Sequence, residues 1–197
     1  MSGSVRTLTL ADAAHARAGW LDDLLLATAA SIVTALAARI EIPLPWTPVP
    51  ITGQTFAVLL SGAVLGARRG FLSQVLYLAE GTFGLPVFAG GAAGFAIFAG
   101  PTAGYLVAFP FAAALVGALA ERGWDRRFFS MLAAMLLGSA VIFGLGLFWL
   151  ARFSPVSHLL ALGLLPFVPG DLIKATLAAL AFPAAWRRLN RRSGIGR

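Results

Sequence analysis

The chain has 197 residues, of which 59% are hydrophobic and only 12% are charged, and its formal net charge is +7. Soluble globular proteins carry roughly 25% charged residues to keep their surface hydrated, so the composition argues against a soluble domain. Cysteine is absent, which excludes a disulfide scaffold, thiol catalysis and thiolate metal sites. The composition predicts an all-α polytopic membrane protein.

Six apolar segments follow one another along the chain, and a helix needs roughly 20 apolar residues to cross a bilayer. They cover residues 24–42, 52–67, 70–88, 102–119, 128–150 and 159–186. The first ends at a proline-rich stretch, and the last is interrupted by Pro166 and Pro169, because proline cannot continue a helix. The segments predict six transmembrane helices.

The basic residues cluster between these segments rather than along one face, which argues against nucleic-acid binding. Twelve fall on one side of the six-helix arrangement: Arg6, Arg17, Arg68, Arg69, Arg122, Arg126, Arg127, Arg187, Arg188, Arg191, Arg192 and Arg197. The opposite side carries Arg152, while Arg39 and Lys174 lie at or inside span ends. The positive-inside tendency therefore places both termini in the cytoplasm. This organisation gives a cytoplasmic tail at 1–20, a membrane domain at 21–186 and a basic cytoplasmic tail at 187–197. The first tail has no apolar core and does not predict a cleavable signal peptide.

The single lysine, Lys174, is preceded by Ile173 and followed by Ala175. A phosphate-binding P-loop needs Gly-Lys followed by Ser or Thr, so this chain cannot hydrolyse ATP by that route. No arrangement of nucleophile, base and carboxylate is visible in the sequence, and no metal site is expected. An intramembrane enzyme acting on lipid remains as an alternative.

Asp171 and Lys174 lie three residues apart at the start of the last apolar run, so they share one helical face. A charge inside the membrane costs about 2.5–3.5 kcal/mol on insertion scales and therefore faces a partner or a wet cavity. In one interpretation Asp171 caps the helix and Lys174 pairs with it or reaches outward. In the other, Lys174 neutralises a ligand carboxylate and Asp171 accepts hydrogen bonds from a ligand N–H.

The third connection is rich in glycine and free of charge; we call residues 84–104 the glycine-rich loop. Glycine permits close backbone approach, so backbone groups of this loop are candidates for contact with a small ligand. Phe88, Phe95 and Tyr105 are candidates for the wall of an apolar pocket. The alternative is a re-entrant connector without a ligand.

Small residues recur every four positions in the first segment, at Ala27, Ser31 and Ala35. This spacing lets two membrane helices approach closely, either within the chain or with another subunit. In an alanine-rich chain the pattern alone does not distinguish the two.

Five motifs in order resemble the BioY family. They are residues 49–56 (VPITGQTF), 65–70 (LGARRG), 84–91 (GLPVFAGG), 100–105 (GPTAGY) and 165–174 (LPFVPGDLIK). The resemblance covers about residues 20 to 186.

The resemblance implies a six-helix biotin-binding S component of an energy-coupling-factor transporter, with its pocket open to the outer side of the bacterial cytoplasmic membrane. Such a subunit would dock on a transmembrane coupling subunit and two ABC ATPases, with no catalysis or cofactor of its own. Asp171 would bind the ureido ring of biotin and Lys174 its carboxylate. Other residues are implied near the ligand: Gln54, Phe88, Gly91, Gly94, Phe95 and Tyr105. The ladder of Ala27, Ser31 and Ala35 would contact the coupling subunit.

Two alternatives keep the same fold. One is a different vitamin, although a cationic ligand fits poorly beside Lys174 and a flavin needs more aromatic area. The other is a solitary, oligomeric biotin transporter.

Overall fold

The computed structural model describes residues 8–14 and 19–192, which form eight α-helices and one minimal β-bridge. The helices are α1 Leu10–Ala14, α2 Trp20–Ala37, α3 Gln54–Leu65, α4 Ala67–Thr82, α5 Ala103–Ala120, α6 Phe128–Leu150, α7 Leu159–Gly163 and α8 Val168–Arg192. Two antiparallel strands of two residues each, β1 Glu41–Ile42 and β2 Ile51–Thr52, pair between α2 and α3. The all-helical prediction is therefore confirmed apart from this bridge.

Four described helices are long and apolar enough to cross a membrane: Trp20–Ala37, Ala103–Ala120, Phe128–Leu150 and Val168–Leu189. The other two predicted segments also form helices, but α3 has 12 residues and α4 has 16. At 1.5 Å per residue α3 spans about 18 Å, well short of a bilayer core of about 30 Å. Helix length alone thus supports four spans, with two shorter helices between the first and second of them.

Two predicted helix ends lie too late in the chain. The first helix ends at Ala37 rather than residue 42, because Glu41 and Ile42 turn into the β-bridge. The third ends at Thr82 rather than residue 88, because Gly84 takes a left-handed conformation with φ of 99°. As a result, residues 38–42 and 83–88 lie outside the helices, and Glu41 and Phe88 of these two segments line a cavity.

The predicted tails also contain helix. The five-residue α1 lies within 1–20, and α8 continues past residue 187 to Arg192. Arg6, Arg17 and Arg197, which the topology prediction uses, lie outside the described residues, as do the side chains of Arg191 and Arg192.

The helix bundle is built around α5, which packs against α3, α4 and α6. Gly62 of α3 lies directly on the backbone of Ala113 in α5, and Gly70 of α4 lies on Gly62. A Cβ at Gly62 would meet the Ala113 carbonyl oxygen well inside van der Waals contact. The three helices therefore touch backbone to backbone, which is how small residues hold membrane helices together.

Helices α3 and α4 are joined by Gly66 alone and pack against each other, so the chain reverses there, at the end of α3 opposite the cavity. At this end Arg69 forms ion pairs of 2.6 Å with both Asp12 and Asp23. Although burial opposes it, hydrogen bonding from Arg69 and Thr9 holds the pKa of Asp12 below its usual 3.8. Arg68, Arg122, Arg126 and Arg127 lie at this end of the bundle, whereas Arg39, Arg152 and the cavity lie at the other end.

We expect Gly62→Ala to lower the melting temperature of the purified protein in detergent by about 5 °C, because the added methyl must push α3 from α5 at a cost of about 2 kcal/mol. Gly144→Ala is the matched control, because it makes the same change inside α6 where nothing lies within 4 Å. Equal melting temperatures for the two variants would contradict the close contact between α3 and α5.

Candidate ligand-binding site

A cavity of about 270 Å³ lies at the end of the bundle where α3, α5 and α8 begin. The β-bridge and its junction with α3 form one side, the glycine-rich loop and α5 a second, and α6 with the start of α8 the third. The residues that shape it include Glu41, Thr52, Gln54, Thr55, Phe88, Ala92, Ile97, Thr102, Tyr105, Phe109, Phe143, Phe167, Asp171 and Lys174. Three charged side chains thus face a largely apolar space.

Lys174 crosses the cavity from α8 to the start of α3. Its Nζ donates to the backbone carbonyl of Thr52 at 2.8 Å and to the hydroxyl of Thr55 at 3.2 Å. An ammonium group has three N–H donors, so these two bonds leave one for a further acceptor. The geometry suits a negatively charged ligand group placed beside Lys174.

Asp171 lies one turn before Lys174 on the same face of α8, and the residue is only 9% exposed. Its backbone N–H already donates to Phe167, and Ser139 of α6 lies next to its carboxylate. Among the described residues Asp171 and Lys174 form no ion pair within 4 Å, since the ion pairs found there involve Arg69. The two charges therefore remain separate, and both are directed at the cavity.

Two aromatic residues complete the wall. Phe88 of the glycine-rich loop is 2% exposed and packs edge-to-face on Tyr77 with ring centroids 5.5 Å apart. Tyr105 of α5 donates from its hydroxyl to the carbonyl of Gly163 at 2.9 Å, which ties α5 to α7. The Tyr77 hydroxyl donates to the carbonyl of Val87 and accepts from the Gln54 amide, each at 3.0 Å.

The glycine-rich loop is held by the segment that follows α2. Arg39 donates from Nη2 to the carbonyl of Pro86. Gly90 and Gly91 have φ of 65° and 76°, a region that a side chain rarely adopts. They lie against the Glu41 carboxylate and the Arg39 guanidinium, respectively. Together these contacts of Arg39 and Glu41 hold the glycine-rich loop, whose Phe88 lines the cavity.

The structure brings together five of the eight residues predicted near a ligand: Gln54, Phe88, Tyr105, Asp171 and Lys174. Gly91, Gly94 and Phe95 do not line the cavity, and Phe95 is 75% exposed because it lies on the outer side of the loop. Their contact with a ligand stays a prediction.

Several residues of the cavity were not predicted from the sequence, among them Glu41, Thr52, Thr55 and Phe143. Glu41 carried a detectable signal, because it is a charge at the end of a predicted span. Thr52 and Thr55 flank Gln54 within a motif quoted for the resemblance. Phe143 carried none, because it is one of many apolar residues in α6.

The small-residue ladder of α2 (Ala27, Ser31 and Ala35) packs against other helices of the same chain. Ala27 and Ser31 are buried, at 5% and 0% exposure, and the Ser31 hydroxyl donates to Glu80 of α4 at 3.0 Å. Ala35 is partly buried. A contact of the ladder with another subunit stays a prediction, and it would require α2 to separate from α4.

The arrangement is suited to binding. One ammonium with a spare donor, one buried carboxylate and an amide surround an apolar, aromatic volume. Such a site fits a small ligand that has an apolar body, one negative group and N–H donors.

Comparison with known proteins gives a consistent result. The model of the BioY family matches residues 7–191. A biotin transporter BioY of Rhizobium etli is 42% identical over 167 residues, covering 81% of this chain and 89% of that protein. A biotin transporter BioY of Thermotoga maritima is 42% identical over 155 residues, covering 77% and 89%. The crystal structure of the S-component for biotin from an ECF-type ABC transporter superposes with a TM-score of 0.73 at 28% identity, covering 85% of this chain and 92% of that one.

We expect Arg39→Ala to increase amide hydrogen exchange within residues 84–94 about threefold or more, because the loop loses its bond from Arg39 to Pro86. Exchange in α5 should be unchanged. Arg122→Ala removes an arginine at the opposite end of the bundle and serves as the control. Equal exchange in the two variants would show that Arg39 does not hold the loop.

Proposed function

The chain belongs to the BioY family, and we infer that it is a biotin-binding subunit for uptake of the vitamin. Its relatives are named as biotin transporters, so its role is transport rather than catalysis. The main structural support for this function is that Asp171 and Lys174 line the same cavity. Its single ammonium with a free donor matches the one negative group of biotin.

Lys174 binds the carboxylate of biotin in this proposal. The bonds to Thr52 and Thr55 hold the ammonium in place before the ligand arrives, so little side-chain entropy is lost on binding. Asp171 accepts hydrogen bonds from the ureido N–H groups. Phe88 and Tyr105 cover the apolar rings, and the glycine-rich loop acts as the lid.

The binding site opens on the outer side of a bacterial cytoplasmic membrane. Seven described arginines lie at the end opposite the cavity (Arg68, Arg69, Arg122, Arg126, Arg127, Arg187 and Arg188), against Arg39 and Arg152 at the cavity end, and the positive-inside tendency makes the arginine-rich end cytoplasmic. Six helices cross or enter the bilayer, with both termini inside. Since α3 is short, its ends lie within the thickness of the membrane, and Thr52 of β2 with Gln54 and Thr55 of α3 meets the ligand there.

Transport then requires partners, which the ECF-type structural relative suggests. This chain would capture biotin and dock on a transmembrane coupling subunit with two ABC ATPases. The sequence has no P-loop of its own, in agreement with a motor on other chains. Ala27, Ser31 and Ala35 remain candidates for this contact, together with the exposed apolar face of α2.

We expect Asp171→Ala and Lys174→Ala each to weaken biotin binding at least tenfold, because each leaves a polar group of the ligand unpaired at about 1–3 kcal/mol. Radiolabelled biotin titrated onto purified protein measures the affinity, and the melting temperature confirms folding. Arg152→Ala is the matched control, a cation near the same end that stacks on Trp149 outside the cavity. Wild-type affinity in the double variant Asp171→Ala/Lys174→Ala would refute the site.

We expect cells that express this chain with a coupling subunit and two ATPases to accumulate biotin faster than cells that express the chain alone. The measurement is uptake of labelled biotin at nanomolar concentration. Equal uptake under both conditions would favour a solitary transporter and reject the need for partners.

A further inference from the structure

Gln54 is the first residue of α3, and its side chain reaches the cavity although the residue is only 4% exposed. Its amide has an accepting end and a donating end that differ little in shape. The end that faces the ligand decides whether the site offers a further acceptor or a further donor. The neighbouring groups determine this orientation.

The Tyr77 hydroxyl lies between Gln54 and the carbonyl of Val87, 3.0 Å from each. A carbonyl only accepts, so the hydroxyl proton belongs to the bond with Val87. No backbone N–H in the described part of the chain donates to that carbonyl, which leaves Tyr77 as its donor. The hydroxyl oxygen must then accept from Gln54, and Nε2 of Gln54 therefore points to Tyr77.

The opposite end of the amide, Oε1, has no hydrogen-bond partner among the described residues. It is also not one of the enclosed polar atoms that lack a partner, which are Gln74 Oε1, Asp125 Oδ1 and Ser139 Oγ. Because Gln54 lines the cavity, Oε1 is open to it. The site thus contains an uncommitted acceptor besides Asp171.

We propose that Tyr77 is a positioning residue for ligand recognition: it fixes the Gln54 amide so that Oε1 faces the cavity and accepts an N–H of the ligand. The inference rests on the proposed function, since the ureido group of biotin carries two N–H donors. Asp171 and Gln54 Oε1 are the two acceptors available to them. A ligand that presents hydrogen-bond acceptors here would be repelled by the oxygens of Asp171 and Gln54. These two residues would therefore select for a ligand with N–H donors.

Tyr77 also packs as a ring, edge-to-face with Phe88 at 5.5 Å and stacked with Phe109 at 6.4 Å. Tyr77→Phe keeps this ring and removes only the hydroxyl. The Gln54 amide is then free to turn, and about half of its orientations present a donor to the ligand. A purely structural role of Tyr77 would act through Val87 and Phe88 and would not depend on the residue at position 54.

The test compares Tyr77→Phe in three backgrounds, with labelled biotin binding and melting temperature measured for each purified protein. In the wild-type background we expect about fivefold weaker binding with the melting temperature retained. In the Gln54→Leu background, which has no acceptor, and in the Gln54→Glu background, which offers an oxygen in either orientation, we expect less than a twofold effect.

A similar loss in all three backgrounds, or no loss in the wild-type background, would overturn the positioning role while leaving biotin binding intact. If the wild-type protein does not bind biotin, the proposed function fails and the inference fails with it. The two failures are therefore distinguished by the wild-type titration.

Discussion

The bond from Lys174 to the start of α3 is the interaction on which the site depends. A partly buried ammonium without partners is costly in an apolar bundle. The Thr52 carbonyl and the Thr55 hydroxyl supply these partners from a junction between strand and helix. The junction is in turn fixed by the pairing of Thr52 with Glu41 across the β-bridge. The pair of two-residue strands therefore positions the carbonyl group that binds Lys174.

The aromatic wall depends on glycine in a comparable way. The ring of Tyr105 lies directly on Gly146 of α6, and the ring of Phe88 lies directly on Gly81 of α4. A methyl group at either glycine would occupy the space of the ring. Close packing of backbones thus creates both the rigid bundle and the recesses that hold the two rings, so stability and the shape of the site cannot be separated at these positions.

The sequence predicted the helices well because hydrophobicity and proline placement act locally. It also predicted the shared face of Asp171 and Lys174, since three residues in a helix fix that geometry. It did not predict that Lys174 is bonded to Thr52 rather than to Asp171, because the partner lies 122 residues away. It also did not predict that the side chain of Phe95 is exposed while that of Phe88, seven residues earlier in the same loop, is buried. Such orientations follow from tertiary contacts like that between Arg39 and Pro86, which no local pattern encodes.

Size and charge together restrict the ligand. The cavity of about 270 Å³ lies below the usual range of about 300–1,000 Å³ for ligand pockets, so a large flavin is disfavoured. The cavity holds one cation against two carboxylates, Asp171 and Glu41, so a second negative group on the ligand would be repelled. A cationic group placed beside Lys174 would be repelled by its ammonium. What remains is a compact molecule with one negative end and a hydrogen-bonding edge, and biotin meets both conditions.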